Sequence, residues 1–311
     1  MLIAGVQSDV SHADPEANVA RVLRWMRLAS QLGPQSRGSI DPPERSDSEQ
    51  ELPDSSARQS ADLVVFPECM LTGYAFDRRE DAMEVALPID SQHFSTLSEA
   101  AKRYDQFVTL GFVERDGDRL YNSAAMLGPQ GIVGCYRKIH LPHLGVDRFV
   151  TRGDRPYQTY VASAGEGEIA NIGLGICYDA SFPEPMRVLG LLGADVIALG
   201  TNWPAAASHT AEIVPPARSM ENHLYFVAAN RVGWDNEFSF CGKSKICGPD
   251  GVILARAEDD RETLLYADVD LAIARNKRIE RTPGAHVIDR FADRRPQFYG
   301  RITEGFGSGN A

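Results

Sequence analysis

Apolar positions along the chain follow two spacings. In some stretches they alternate or run unbroken for several residues, and in others they recur every three or four. The first habit predicts strands and the second helices. Leu2–Val6 reads as a short strand. Asp14 then stands as an N-cap, Pro15 occupies the first helical position, and Val19, Val22, Leu23 and Met26 make the buried stripe of a helix. Asp62–Phe66 is a continuous apolar run, as expected of a strand covered on both faces. A helix over Phe94–Tyr104 leads into strands over Phe107–Val113, Tyr121–Leu127 and Ile132–Tyr136, with turns at Asp116-Gly117 and Pro129-Gln130-Gly131. In Asn171–Ile176, Ile172, Leu174 and Ile176 point one way, while Gly173 and Gly175 leave room on the other face for a close neighbour. Pro183 and Pro185 suit the first turn of a helix through Met186, Leu189 and Leu192. Further strands fall at Asp195–Leu199, Tyr225–Asn230 and Tyr266–Val269. A hairpin joins Ser244–Cys247 to Val252–Ala255, and helices are predicted over Pro216–Leu224 and Asp270–Lys277.

Interleaved strands and helices, with several strand pairs joined by short turns, predict a mixed sheet layered with helices, or two such sheets face to face. One stretch breaks the pattern. Gly33–Ser60 is rich in Ser, Pro, Asp, Glu and Gln and has almost nothing to bury, so we read it as a passive surface insertion. The chain of 311 residues is 43% hydrophobic and 24% charged, enough for a substantial core. Its formal net charge of −11 disfavours nucleic acid or an anionic membrane as a partner. Five scattered cysteines suit neither a disulfide framework nor a zinc site, and no signal peptide or membrane span is apparent, so a reducing cytoplasm is the expected location.

Three residues stand where a strand gives way to a loop: Glu68, Lys138 and Cys177. Each has an ordinary reading, as a solvated carboxylate, a surface lysine and a buried thiol. Strand ends on one rim of a sheet converge, however, and open α/β sheets place their sites there. A thiol at a strand-to-helix turn also feels the positive end of a helix dipole.

The blocks FPECMLTGY, YRKIHLP and GICYDASFPE resemble the three signature blocks of the carbon–nitrogen hydrolase (nitrilase) superfamily, and YNSAAMLGPQG, NWP and ARSMENHLYFVAANRVG extend the likeness over nearly the whole chain. The resemblance implies a four-layer α-β-β-α sandwich with two mixed sheets. It makes residues 1–311 a single domain, with an insertion at 33–60 and an extended tail from about 278. It implies a Cys177 nucleophile that forms a thioester, Glu68 as general base and acid, and Lys138 beside the oxyanion with a backbone N–H near Tyr178. No metal or organic cofactor is implied, and His140 and His143 need no catalytic part. The expected partner is a small amide, and the expected state a homodimer or larger homo-oligomer, with the helices near Met186 and Ala217 as interfaces.

Two positions depart from the resemblance. A second Glu of many members falls near Val146, where the adjacent Asp147 can substitute. An Arg that meets a substrate carboxylate in several relatives is Ser181 here, which weakens the case for an acidic substrate unless Arg137, Arg148 or Arg187 compensates. Tyr74, Asn202 and Trp203 lie on loops expected to reach the pocket, and Arg218 and Glu221 are read as a structural pair. Hydrolysis of a linear amide is the leading expectation. The alternatives are an N-carbamoyl amide hydrolase, an idle interaction protein on the same fold, and a thiol redox sensor.

Overall fold

The computed structural model describes residues 1–32, 37–41, 59–164 and 168–305. The chain divides into two compact units, Met1–Arg275 and Asn276–Ala311.

The first unit opens with β1 (Leu2–Gln7), helix α1 (Pro15–Ala29), β2 (Arg37–Ile40) and β3 (Leu63–Val65). Helices α2 (Arg79–Val85) and α3 (Gln92–Tyr104) follow, then the meander β4 (Phe107–Asp116), β5 (Arg119–Gly128) and β6 (Gly131–Arg137). The second half holds β7 (Thr159–Ala164), β8 (Glu168–Ile176), α4 (Pro183–Leu191), β9 (Val196–Thr201), α5 (Ser208–Asn222) and β10 (Tyr225–Asn230). A small ribbon, β11 (Trp234–Asp235) with β12 (Phe238–Ser239), precedes β13 (Lys245–Cys247), β14 (Ile253–Arg256), β15 (Thr263–Asp268) and α6 (Leu271–Arg275).

The strands form two mixed sheets, ordered β2-β15-β1-β3-β4-β5-β6 and β14-β13-β10-β9-β8-β7. In each, parallel pairs occupy the middle and antiparallel pairs the flanks. Alternation along the strands explains the layering. In β1, Ile3 joins the core between the sheets, while Leu2, Ala4 and Val6 face Val22 and Met26 of α1 and the outer core. In β8, Ile172, Leu174 and Ile176 belong to the core between the sheets. On its glycine face, a Cβ on Gly173 would lie 3.1 Å from Leu189 of α4, and one on Gly175 would lie 3.2 Å from Met186, so the bare backbone is what lets that helix seat. The result is the expected helix–sheet–sheet–helix sandwich.

Three expectations need correction. Arg37–Ile40, inside the stretch read as a passive insertion, is an edge strand paired with β15. An edge strand needs backbone partners more than apolar side chains, and this one alternates exposed with half-buried. The remainder of that insertion, residues 33–36 and 42–58, lies outside the described residues. Helix α5 starts at Ser208, well before Pro216, and carries Pro215 and Pro216 in its interior; its packing against β10 overrides the usual cost of proline there. The tail expected from about 278 is not merely extended. It forms an antiparallel hairpin, β16 (Arg278–Thr282) with β17 (His286–Asp289), and two short 3-10 turns. No helix among the described residues is long and apolar enough to cross a membrane.

Candidate active site

Glu68 follows β3 through Phe66 and Pro67, and two glycines make space for its backbone. A Cβ on Gly111 of β4 would lie 2.7 Å from the Glu68 Cα, and one on Gly200 of β9 would lie 3.0 Å from the Glu68 N. The carboxylate is thereby drawn to the seam where β4 of one sheet and β9 of the other approach, and its side chain is fully buried. Lys138 continues β6. Its backbone is pinned on both sides, the N–H donating to Asn122 O at 2.8 Å and the carbonyl accepting from Gly153 N at 2.8 Å. Its ammonium is also fully buried and donates to Glu68 Oε1 at 2.6 Å and to Asp147 Oδ2 at 2.6 Å.

Asp147 sits on the 3-10 turn Gly145–Arg148, which brings its carboxylate inward. Tyr74 donates its hydroxyl to Asp147 Oδ2 at 2.9 Å. Asn122 of β5 gives its amide N–H groups to Glu68 Oε1 at 2.8 Å and to Asp147 Oδ1 at 2.8 Å. Two carboxylates thus share one ammonium and one carboxamide, and Asp147 takes the Tyr74 hydroxyl as well. Glu68 Oε2 is buried and has no hydrogen-bond partner among the described residues.

Cys177 ends β8 on the short turn Cys177–Ser181, with a left-handed φ of +41°. That conformation costs a non-glycine residue on the order of 1 kcal/mol, so the surroundings must hold it. Asp179 does so from inside, accepting Ile176 N at 3.1 Å, the Tyr136 hydroxyl at 2.8 Å and pairing with His140 Nδ1 at 2.8 Å. Arg218 of α5 does so from outside, donating to Ala180 O at 2.9 Å and Ser181 O at 3.2 Å while pairing with Glu221 at 3.1 Å. The sulfur meets the Thr201 side chain and the Asn202 backbone N–H, and it lies within electrostatic reach of Glu68 and Lys138. Among the described residues, and apart from that sulfur, Thr201 Oγ1 has no partner, and the Asn202 side chain has none at either Oδ1 or Nδ2 although Asn202 is only 1% exposed.

The electrostatics follow from burial. Burial raises the pKa of Glu68; Lys138 opposes the rise and Asp147 adds to it. Burial likewise raises the Cys177 thiol above its usual range, reinforced by Glu68 and opposed by Lys138, which favours the protonated form. For Lys138 burial disfavours the charge, but Asp147 and Glu68 outweigh it and keep the ammonium firmly charged. The Tyr74 phenol is pushed well up, first by burial and then by the Asp147 and Glu68 charges.

Of the residues singled out in the sequence, Glu68, Lys138, Asp147 and Tyr74 form one bonded cluster, with Cys177 and Asn202 beside it. Tyr178 is on the Cys177 turn at the rim, 37% exposed and edge-on to Phe182. Trp203 is packed in the core between the sheets, with its backbone N–H on Asn230 Oδ1 at 2.9 Å. Val146 is buried, and its neighbour Asp147 is the residue that reaches Lys138. Asn122 was missed as a site residue. Its one signal is polarity within a buried strand, where Asn122 and Ser123 face opposite ways, Ser123 donating to Glu114 at 2.6 Å. Among the described residues, no group of three or more His, Cys, Asp or Glu side chains could hold a metal ion.

The family description "Carbon-nitrogen hydrolase" matches residues 2–278. A protein of Pyrococcus abyssi named nitrilase is 36% identical over 272 residues, covering 87% of this chain and 97% of its own. An (R)-stereoselective amidase of a Pseudomonas species is 35% identical over 246 residues, covering 78% of this chain and 83% of its own. The solved structure of a mutant amidase from Nesterenkonia AN1, of the nitrilase superfamily, superposes with a TM-score of 0.72 at 20% identity, covering 97% of both chains, and so shares the fold. With its sandwich, its buried cluster and a match over nearly its whole length, the chain belongs to the carbon–nitrogen hydrolase family.

Proposed function

We propose that the protein hydrolyses the C–N bond of a small, uncharged amide through a thioester on Cys177. Glu68 Oε2 takes the thiol proton as Sγ attacks the carbonyl carbon. The carbonyl oxygen becomes an oxyanion beside the Lys138 ammonium and a backbone N–H of the Cys177 turn. Collapse of this intermediate breaks the C–N bond, and protonated Glu68 returns its proton to the leaving nitrogen as ammonia or an amine. Glu68 then takes a proton from water as the water oxygen attacks the thioester carbon; the C–S bond breaks, Glu68 returns that proton to Sγ, and a carboxylic acid and the free thiol result. The observation that carries this reading is the bare Oε2 of Glu68 in a sealed cluster with Lys138, beside a neutral thiol. A base of raised proton affinity suits a thiol that cannot ionise by itself. A Glu-to-Gln mutant of the Nesterenkonia amidase carries the acetamide moiety of fluoroacetamide on its active-site cysteine, which supports a nucleophilic Cys177 here.

An uncharged substrate is favoured by where the nearby arginines are spent. Arg137 is bound to Glu114 and Asp116, Arg148 to the carbonyls of Gly145 and Phe76, Arg187 to Glu221 O, and Arg218 to the Cys177 turn. Each of these guanidiniums is thus held at least in part by the protein, which lowers its availability to a substrate carboxylate. The test is a panel of small amides, ureido compounds and nitriles scored for ammonia, with iodoacetamide as inhibitor. Ammonia from neutral amides, lost as one equivalent of reagent enters Cys177, is the expected result. Release of CO2 with ammonia from ureido compounds would instead favour an N-carbamoyl amide hydrolase, and turnover that survives alkylation of Cys177 would refute the mechanism.

A further inference from the structure

We propose that Asn122 is a positioning residue: its two amide N–H groups fix Glu68 and Asp147 on either side of Lys138, so that Glu68 presents its unpaired Oε2 to the thiol. The proposal rests on the reading of Glu68 as the base.

Lys138 alone cannot hold this arrangement. It donates to one oxygen of each carboxylate, at 2.6 Å in both cases, and two like charges that share one cation repel each other. Asn122 supplies a second bond to each acid, both at 2.8 Å. On Glu68 that bond falls on the same oxygen, Oε1, that Lys138 binds. Both donors therefore occupy one side of the carboxylate, and the other oxygen is left bare. The orientation of the carboxamide is fixed chemically. Its NH2 faces two acceptors, and its Oδ1 accepts the Cys69 thiol at 3.6 Å. The backbone of Asn122 also accepts the Lys138 N–H at 2.8 Å, so one residue ties down three members of the cluster. A carboxamide can do this without adding charge, whereas an acid at the same place would bring a third carboxyl into a buried site.

The titratable groups that bear on Glu68 are Lys138 at the end of β6, Asp147 on its turn, Cys69 and Tyr74 after β3, and Cys177 after β8. Removing the Asn122 donors leaves these in place and weakens only the hydrogen bonding that favours an ionised, aligned Glu68.

The test measures the rate of Cys177 alkylation by iodoacetamide from pH 5 to 9, located by mass spectrometry, in wild type, Asn122→Leu, Asn122→Ala and Glu68→Gln. Asn122→Leu removes both donors, and Asn122→Ala removes them with a smaller side chain, and without added charge, should the first fail to fold. Loss of the bond to Glu68 shifts the acid limb of the profile upward by about one pH unit in either variant, a roughly tenfold slower reaction on that limb. Glu68→Gln abolishes the limb. An acid limb that stays put in the folded Asn122 variants, while Glu68→Gln removes it, would overturn the positioning role alone and leave Asn122 as packing. A limb that survives Glu68→Gln would overturn the reading of Glu68 on which the proposal rests.

Discussion

Replacing Asp147 by Asn removes one of the two negative charges that share Lys138 and keeps the side chain's shape. Both acids hydrogen-bond the same Nζ at 2.6 Å, so the two bonded oxygens are at most about 5 Å apart. At an effective dielectric constant of about 20, unit charges at that separation repel by about 3 kcal/mol, equivalent to roughly two pKa units. Relaxation of the cluster takes up part of this, so we expect the pKa of Glu68 to fall by about one unit in the variant. The sign is fixed: Asp147 raises the Glu68 pKa, and removing it makes Glu68 easier to ionise. The acid limb of kcat/KM for whichever small amide is turned over therefore moves to lower pH, while the plateau falls because the base is weaker. A full pH–rate profile for wild type and Asp147→Asn checks this. A limb that stays put or moves upward would refute the electrostatic account of the cluster.

Four other outcomes are expected. Glu68→Gln lowers turnover on the order of 10²–10⁴-fold. Because the folded-state pKa of Glu68 is raised, its favourable contribution to stability is present below the unfolded pKa and lost as pH rises through the folded value. The Gln variant should therefore match or exceed wild type in thermal unfolding at neutral pH. Asn202→Leu removes two buried polar atoms that lack partners, each costing about 1–3 kcal/mol; its melting temperature should rise while kcat/KM falls, and unchanged turnover would remove Asn202 from the site. Val188, Leu191 and Leu192 at α4 and Ile213 and Met220 on α5 leave apolar side chains 39–52% exposed, so sedimentation should detect a dimer or larger assembly.

The strand ends were legible because a change of pattern marks them. Alternation stops at Cys177, and the apolar run of β3 stops just before Glu68. The glycine face of β8 was legible for the same reason, since a missing side chain can be read directly. The rest of the cluster depends on contacts distant in sequence. Asn122 meets Glu68 across 54 positions and Asp147 across 25, and no periodicity of β5 reveals which polar residue of that strand faces a charge. Asp147 could be suggested only through Val146, because a 3-10 turn decides which of two neighbours points inward. Trp203 shows the opposite limit. Its loop does border the sulfur through Asn202, but its ring is used for packing. Edge strand β2 and the early start of α5 were hidden because sheet pairing and packing, which a local pattern does not record, determine both.

The imbalance of two carboxylates against one ammonium has a further consequence on the proposed chemistry. An amide enters without charge and meets no repulsion from Glu68 or Asp147. Once cleaved, its acyl half departs as an acid that ionises in neutral water, and the nearest fixed charges are then predominantly of the same sign. The arrangement that raises the proton affinity of Glu68 therefore also weakens retention of the finished product, and product release becomes easier as the solution grows more alkaline.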